Sequence, residues 1–176
     1  MKGVPKIISA AKISENIRAG KTMFFRFHGN THHMWQEGVY EDYKRLKIPV
    51  ELENKWREEL FEDLKKQFLN KKSIHDKVIG IGNLLDLGVM TDSVVSIIEC
   101  LLREKIDTFS KLLLCEELKR IPCENEEKKR IISILENQKQ HMLSEDITVD
   151  EKYLHLSYMK DYDFSNSNIK KRIGAL

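Results

Sequence analysis

Apolar residues recur every fourth position in one stretch of the chain, and this pattern is typical of a helix with one buried face. Pro49 precedes the stretch and suits the first turn of a helix. Glu and Lys fill most of the remaining positions. The pattern predicts a helix over residues 49–69 with an apolar face that contacts a core, formed by Leu52, Trp56, Leu60, Leu64 and Phe68.

From residue 73 onward, capping residues recur at short intervals. Ser73, Thr91 and Asp107 suit helix N-caps, Gly88 suits the end of a helix, and Pro122 separates two helical runs. The spacing predicts four helices, near residues 74–87, 92–105, 108–120 and 124–142. Because the connections are short, neighbouring helices are expected to pack antiparallel, as helical hairpins.

The remaining segments carry less regular patterns. Residues 5–19 have apolar positions at helical spacing and are followed by Gly20, which predicts a helix ending there. Residues 22–27 are rich in aromatic side chains and favour an extended segment. A helix is predicted over 34–47, an ordered tail without helical period over 146–164, and a last short helix from Ser165 to about Gly174.

The predicted fold is mainly α: one domain, residues 1–176, built as an array of antiparallel helical hairpins with a short N-terminal extended segment. Residues 1–72 form its N-terminal part, 73–143 the four-helix array, and 144–176 the tail and last helix. The 176 residues are enough to bury one core without disulfide or metal support.

Composition excludes several classes of protein. No run approaches the roughly 18 consecutive apolar residues of a membrane span, and the first 20 residues lack the apolar core of a secretory signal. The odd number of cysteines, with Cys100 and Cys115 expected to be buried and Cys123 nearby, favours reduced thiols in a cytoplasm. We therefore expect a cytoplasmic protein with no membrane association.

Three histidines, His28, His32 and His33, fall within six residues on a predicted loop. They supply ligand types that a metal site needs, but their spacing matches no established metal motif, and adjacent histidines do not easily face one ion. A polar loop is the favoured interpretation, and we expect no metal and no cofactor. Gly80 and Gly82 lack the rest of a dinucleotide fingerprint and indicate close helix packing.

Nucleic-acid binding is a less favoured alternative. The aromatic residues Phe24, Phe25 and Phe27 are of the type that stacks on bases, and lysine clusters at residues 44–47 and 65–72 are of the type that contacts phosphates. Acidic residues accompany each basic cluster, which is typical of a solvated helix face laced with ion pairs.

Charge is unevenly distributed along the chain. Residues 1–72 carry 15 Lys and Arg against 10 Asp and Glu, whereas residues 73–146 carry 10 against 14. The acidic middle favours a basic partner. The first candidate contact is the acidic turn of Glu116, Glu117, Glu124, Glu126 and Glu127, and the second is the set of tail tyrosines Tyr153, Tyr158 and Tyr162, since tyrosines anchor interfaces.

The chain resembles one family in its general character, over the segments from Phe24 to Gly29, Tyr40 to Tyr43, Ile48-Pro49 and Lys160 to Phe164. In these it is similar to bacterial immunity proteins of contact-dependent growth inhibition and polymorphic toxin systems. The resemblance implies a non-catalytic protein that neutralises a cognate toxin, such as a basic nuclease, by occluding it. No functional residue transfers from the family.

Two alternatives belong to other classes. One is a metal-dependent enzyme that uses His28, His32 and His33, and metal analysis of the purified protein distinguishes it. The other is a nucleic-acid-associated regulator that uses the positive N-terminal part, for which binding would fall steeply with salt.

Overall fold

The computed structural model describes residues 10–176, and throughout this range the only regular secondary structure is helical. The mainly α prediction is confirmed, as is the packing of neighbouring helices as antiparallel pairs. Within this range there are ten α-helices and a short 3₁₀ helix, Ser157–Met159. The α-helices are α1 Ala10–Arg26, α2 Thr31–Gln36, α3 Tyr40–Arg45, α4 Val50–Leu69, α5 Ile74–Leu85, α6 Thr91–Leu102, α7 Thr108–Arg120, α8 Asn125–Ser144, α9 Glu151–Leu154 and α10 Asn166–Gly174.

The helices group into two compact units, one ending at Asp63 and the other beginning at Leu64, so the division falls within α4. The first unit contains α1, α2, α3 and the larger part of α4. The second contains the end of α4 and helices α5 to α10. The single domain expected from the sequence stays a prediction.

An aromatic cluster forms the core of the first unit. Phe24 is 1% exposed and Trp56 is 3% exposed, and their ring centroids lie 5.6 Å apart. Tyr43 is buried beside them and donates a hydrogen bond of 2.6 Å to Glu53 Oε1. The predicted helix over 49–69 is confirmed as α4. On its apolar face, Trp56 and Leu60 are buried in the first unit and Phe68 is buried in the second.

The predicted extended segment over residues 22–27 is wrong, because Thr22 to Arg26 continue α1. The aromatic residues that suggested a strand are buried at Phe24 and Phe27, on the inner face of a helix end. Gly20 does not end the helix either. It lies inside α1, where Ile48 packs against it. A side chain would not fit at this position, because a Cβ there would lie 2.6 Å from Ile48 Cδ1. Residues 5–9 of the predicted first helix lie outside the described range.

The predicted helix over 34–47 is interrupted. Gly38 adopts a left-handed conformation with φ +71°, which ends α2 before α3 begins. The predicted histidine loop is also partly helical. Asn30 caps α2, since its Oδ1 accepts hydrogen bonds from the backbone N–H groups of His32 and His33 at 3.0 and 3.1 Å.

The four predicted helices of the middle region are present as α5 to α8, with both ends of α7 and the start of α5 as predicted and the other ends shifted by one to three residues. Asp107 caps α7 by accepting from the Ser110 N–H at 2.9 Å. Thr91 is not an N-cap: that position belongs to Met90, with φ +55°. The close packing predicted at Gly80 and Gly82 is present only at Gly80, where a Cβ would lie 2.9 Å from Phe68 Cδ2; at Gly82 a Cβ would meet nothing within 4 Å.

The tail after α8, predicted to lack helical structure over 146–164, contains the short α9 and the 3₁₀ helix, and specific contacts hold it to the rest of the second unit. Thr108 and Thr148 exchange hydrogen bonds, with each hydroxyl accepting from the other residue's backbone N–H at 3.0 to 3.1 Å. Ser165 caps α10, as predicted, and Ile169 and Ile173 of that helix are fully buried. Arg172 Nε donates to Glu116 Oε1 at 2.9 Å and links α10 to α7.

Candidate protein-binding groove

The acidic turn predicted as the first contact surface divides into engaged and available carboxylates. Glu116 is held by Arg172, and Glu117 pairs with Arg120 at 2.7 Å. Glu126 is exposed and pairs with Lys129 at 2.6 Å, three residues along α8. Glu124 is exposed at the N-cap position of α8. Of the five carboxylates, Glu116 is thus mainly a structural link between helices.

One of the three tyrosines predicted to form an interface is buried. Tyr153 is 1% exposed, so its predicted role at an interface conflicts with its place in the core. Its ring contacts Phe109 edge-on at 5.0 Å, and its hydroxyl is 3.0 Å from Ser110 Oγ. Tyr162 is half-buried, with its ring centroid 4.6 Å from that of Phe164. Tyr158 alone of the three is broadly exposed, at 63%.

Tyr158 is oriented by a buried histidine. Its hydroxyl lies 2.9 Å from His75 Nε2, and the His75 ring meets Tyr153 edge-on at 5.3 Å. The pKa of Tyr153 rises to about 12, chiefly because burial disfavours its phenolate, although the hydrogen bond with Ser110 opposes the rise. His75 is thus buried and hydrogen-bonded, and its role is structural.

The three clustered histidines are all exposed, and they do not converge. His28 lies in the turn after α1 with φ +50°, and His32 stacks on Trp35 with ring centroids 6.3 Å apart. The rings of His32 and His33 are 6.4 Å apart. Across residues 10–176, no group of three or more His, Cys, Asp or Glu side chains is arranged to hold a metal ion.

The aromatic residues considered for base stacking are largely unavailable. Phe24 and Phe27 belong to the core of the first unit. Phe25 is half-buried, and Lys21 Nζ lies 5.1 Å from its ring centroid. These three side chains therefore do not form a surface on which bases could stack.

A groove of about 500 Å³ lies in the second unit between the C-terminal end of α4 and helices α5 and α6. Its apolar wall comes from Phe68, Leu69, Ile97 and Leu101, of which Leu69 is 66% exposed. Its charged lining residues are Lys65, Lys77, Asp92 and Glu104, with Lys77 and Glu104 paired at 3.7 Å. An apolar wall with charged edges is the usual form of a groove that receives an amphipathic segment.

Two carboxyl groups meet at one edge of this groove. One of them is Glu127, in the first turn of α8, and its pKa is raised. The main cause is a side-chain hydrogen bond with Asp92 of α6, and burial and the Asp92 charge add to the rise, whereas the charge of Arg130 opposes it. Arg130 is itself engaged by Glu99. This edge of the groove therefore holds two carboxyl groups side by side.

Sequence reasoning missed this groove. The signal was a mixed face of α6 and the residues just after it, in which Asp92, Ser96, Cys100 and Glu104 recur every four residues beside apolar neighbours. Cys100, expected to be buried, is exposed and lines the groove instead.

The other two cysteines are less accessible. Cys123 is half-buried, and Cys115 is fully buried in α7. Burial raises the pKa of the Cys115 thiol to about 12, with the neighbouring Glu116 charge adding to the rise. Cys115 therefore stays protonated and unreactive near neutral pH, whereas Cys100 is open to reagents.

Comparison with known proteins gives no matching family model, no matching curated protein and no matching solved structure. None of the helices within residues 10–176 combines the length and apolar character that crossing a membrane requires.

Proposed function

We propose that this chain is a protein-binding module that neutralises a cognate toxin by occluding it, as immunity proteins do. The observation that carries the proposal is the groove along α6, because it combines an apolar wall, exposed chiefly at Leu69, with an acidic edge. Apolar surface supplies the driving force for association, and charge at the rim selects the partner and speeds the encounter.

The occupant we propose is a basic amphipathic helix of the toxin. Its apolar side chains would contact Phe68, Leu69 and Ile97, and a lysine or arginine would lie beside Asp92 and Glu127. A cation there would relieve the repulsion between the two carboxyl groups. The acidic balance of residues 73–146 favours the same kind of partner.

Co-expression with a toxin encoded by a gene adjacent to the gene for this chain tests the function. We expect cells to survive toxin expression when the wild-type chain is present and to die without it. Death in both cultures, or survival in both, contradicts the proposal.

Charge removal tests the position of the interface. The double variant Asp92→Asn/Glu127→Gln keeps the shape of the acidic edge and removes its charge. The matched control, Glu136→Gln/Glu151→Gln, removes two exposed carboxylates elsewhere on the second unit. We expect the first variant to bind the purified toxin at least about tenfold more weakly, with a shallower salt dependence, and the control to bind like wild type. Equal binding by both variants would move the interface away from the groove.

Alkylation of Cys100 gives a second measure of the same contact. In a Cys123→Ser background, Cys100 is the accessible thiol of the described residues, because Cys115 is buried. The bound toxin should protect Cys100 from N-ethylmaleimide, and prior alkylation should block binding. Unchanged labelling in the complex would exclude the groove as the binding site.

A further inference from the structure

A second cavity, separate in its lining from most of the α6 groove, is formed where three helices of the second unit begin. It has a volume of about 470 Å³ and lies among the N-terminal ends of α5, α7 and α9 and the segment that joins α6 to α7. Its lining contains four lysines and three carboxylates. Of its four lysines, only Lys72 lies in a cluster that the sequence indicated as being of the phosphate-contacting type, residues 65–72.

Three of the lysines come from separate segments of the chain. Lys72 precedes α5, Lys105 lies between α6 and α7, and Lys152 is in α9, and all three are exposed. None of them has a carboxylate partner within residues 10–176. The fold thus brings together three lysine side chains whose positive charges no ion pair compensates.

The carboxylates of the cavity are already engaged. Asp107 accepts from the Ser110 N–H and Asp150 accepts from the Lys152 N–H, each at 2.9 Å, so both cap their own helices. Glu104 pairs with Lys77. The capped end of α7 also adds a partial positive charge, which offsets part of the charge of Asp107.

The third helix end, that of α5, lacks such a cap. Ser73 occupies its N-cap position without making a side-chain hydrogen bond, and the Ser73 hydroxyl oxygen is buried without a partner among the described residues. Its first-turn N–H groups therefore have no side-chain acceptor. A polar cavity with excess lysines, an uncapped helix end and an unused hydroxyl has the donors that an anion needs.

We propose that this cavity binds a small phosphorylated molecule, with its phosphate groups between Lys72, Lys105 and Lys152. Phosphate oxygens accept several charge-assisted hydrogen bonds at once, which a carboxylate does less well. The volume is large enough for a diphosphate or a nucleoside diphosphate and lies within the usual range of small-molecule sites. The proposal is independent of toxin binding.

Titration calorimetry at constant ionic strength tests the proposal, with inorganic phosphate, pyrophosphate and adenosine diphosphate as probes. The site variant is Lys72→Gln/Lys105→Gln/Lys152→Gln. The control is Lys128→Gln/Lys170→Gln/Lys171→Gln, which removes the same charge from exposed lysines outside the cavity. We expect saturable pyrophosphate binding that weakens by at least about tenfold in the site variant and by less than about twofold in the control.

Tighter binding of adenosine diphosphate than of pyrophosphate would identify a nucleotide as the ligand, and the reverse would identify a free anion. The variant Lys72→Arg/Lys105→Arg/Lys152→Arg keeps the three positive charges and should retain binding. Retained binding would show that the site variant loses affinity because it loses charge and not because it fails to fold. The proposal is overturned if wild type shows no saturable binding of any probe, or if the site and control variants weaken equally.

Discussion

Trp56 offers the sharpest test of the core of the first unit. Replacing it with alanine removes an indole that is 3% exposed and packs on Phe24 with ring centroids 5.6 Å apart. Loss of a buried tryptophan and the cavity that remains cost about 3–5 kcal/mol. We therefore expect Trp56→Ala to lower the free energy of unfolding by that amount, measured by urea denaturation.

A matched control is present in the same unit. Trp35 is 67% exposed and is the other of the two tryptophans in the chain, so Trp35→Ala should change stability by less than about 0.5 kcal/mol. A double-mutant cycle with Phe24→Leu should show a coupling of about 0.5–1.5 kcal/mol from the aromatic pair. A loss below about 1 kcal/mol for Trp56→Ala would refute the reasoning, because it would mean that the indole faces solvent.

Three further outcomes are expected. Gly29→Ala should destabilise the protein more than Gly38→Ala. Both glycines have positive φ, which costs alanine roughly 1–2 kcal/mol, but only at Gly29 would the new Cβ also meet the Phe24 ring, at 2.7 Å. Equal losses of unfolding free energy in chemical denaturation would contradict this packing. Because the folded-state pKa of Cys115 is raised from 9.0 to about 12, its contribution to stability is complete below pH 9 and is lost as pH rises toward 12, by about 1.4 kcal/mol per pH unit. Cys115→Ala should flatten the unfolding free energy over that range, and an unchanged slope would refute the assignment. Finally, tryptophan fluorescence reports only the first unit, so its urea transition should coincide with that of circular dichroism if the predicted single domain holds, and separate transitions would show two domains.

Helices α4 to α8 and α10 could be predicted because their apolar spacing agrees with most of their caps, whereas the short α9 has too few residues to show a helical period. Local patterns failed where a distant residue decided the outcome. Gly20 looks like the end of a helix in the sequence, but the contact with Ile48 makes a small residue necessary inside α1. The aromatic run that suggested a strand is instead the buried end of that helix, because Phe24 packs on Trp56, 32 positions further along the chain.

The candidate sites were predicted less well for the same reason. Tyr153 lies in a segment with no helical period, and only the contacts with Phe109 and Ser110 reveal that it belongs to the core. The groove and the lysine cavity depend on which helix ends meet in space. Lys72, Lys105 and Lys152 are separated by more than 30 residues at each step, so no local pattern could have grouped them.

The position of α10 has a consequence for the order in which the chain folds during synthesis. Its buried residues Ile169 and Ile173 pack with α7 and α8, and Lys139 of α8 donates to the Gly174 carbonyl at 2.6 Å. A nascent chain that has just exposed α7 and α8 therefore presents an apolar surface that stays uncovered until residue 173 has left the ribosome. The second unit should thus pass through a period of vulnerability to aggregation and to chaperone capture, which ends only when α10 docks.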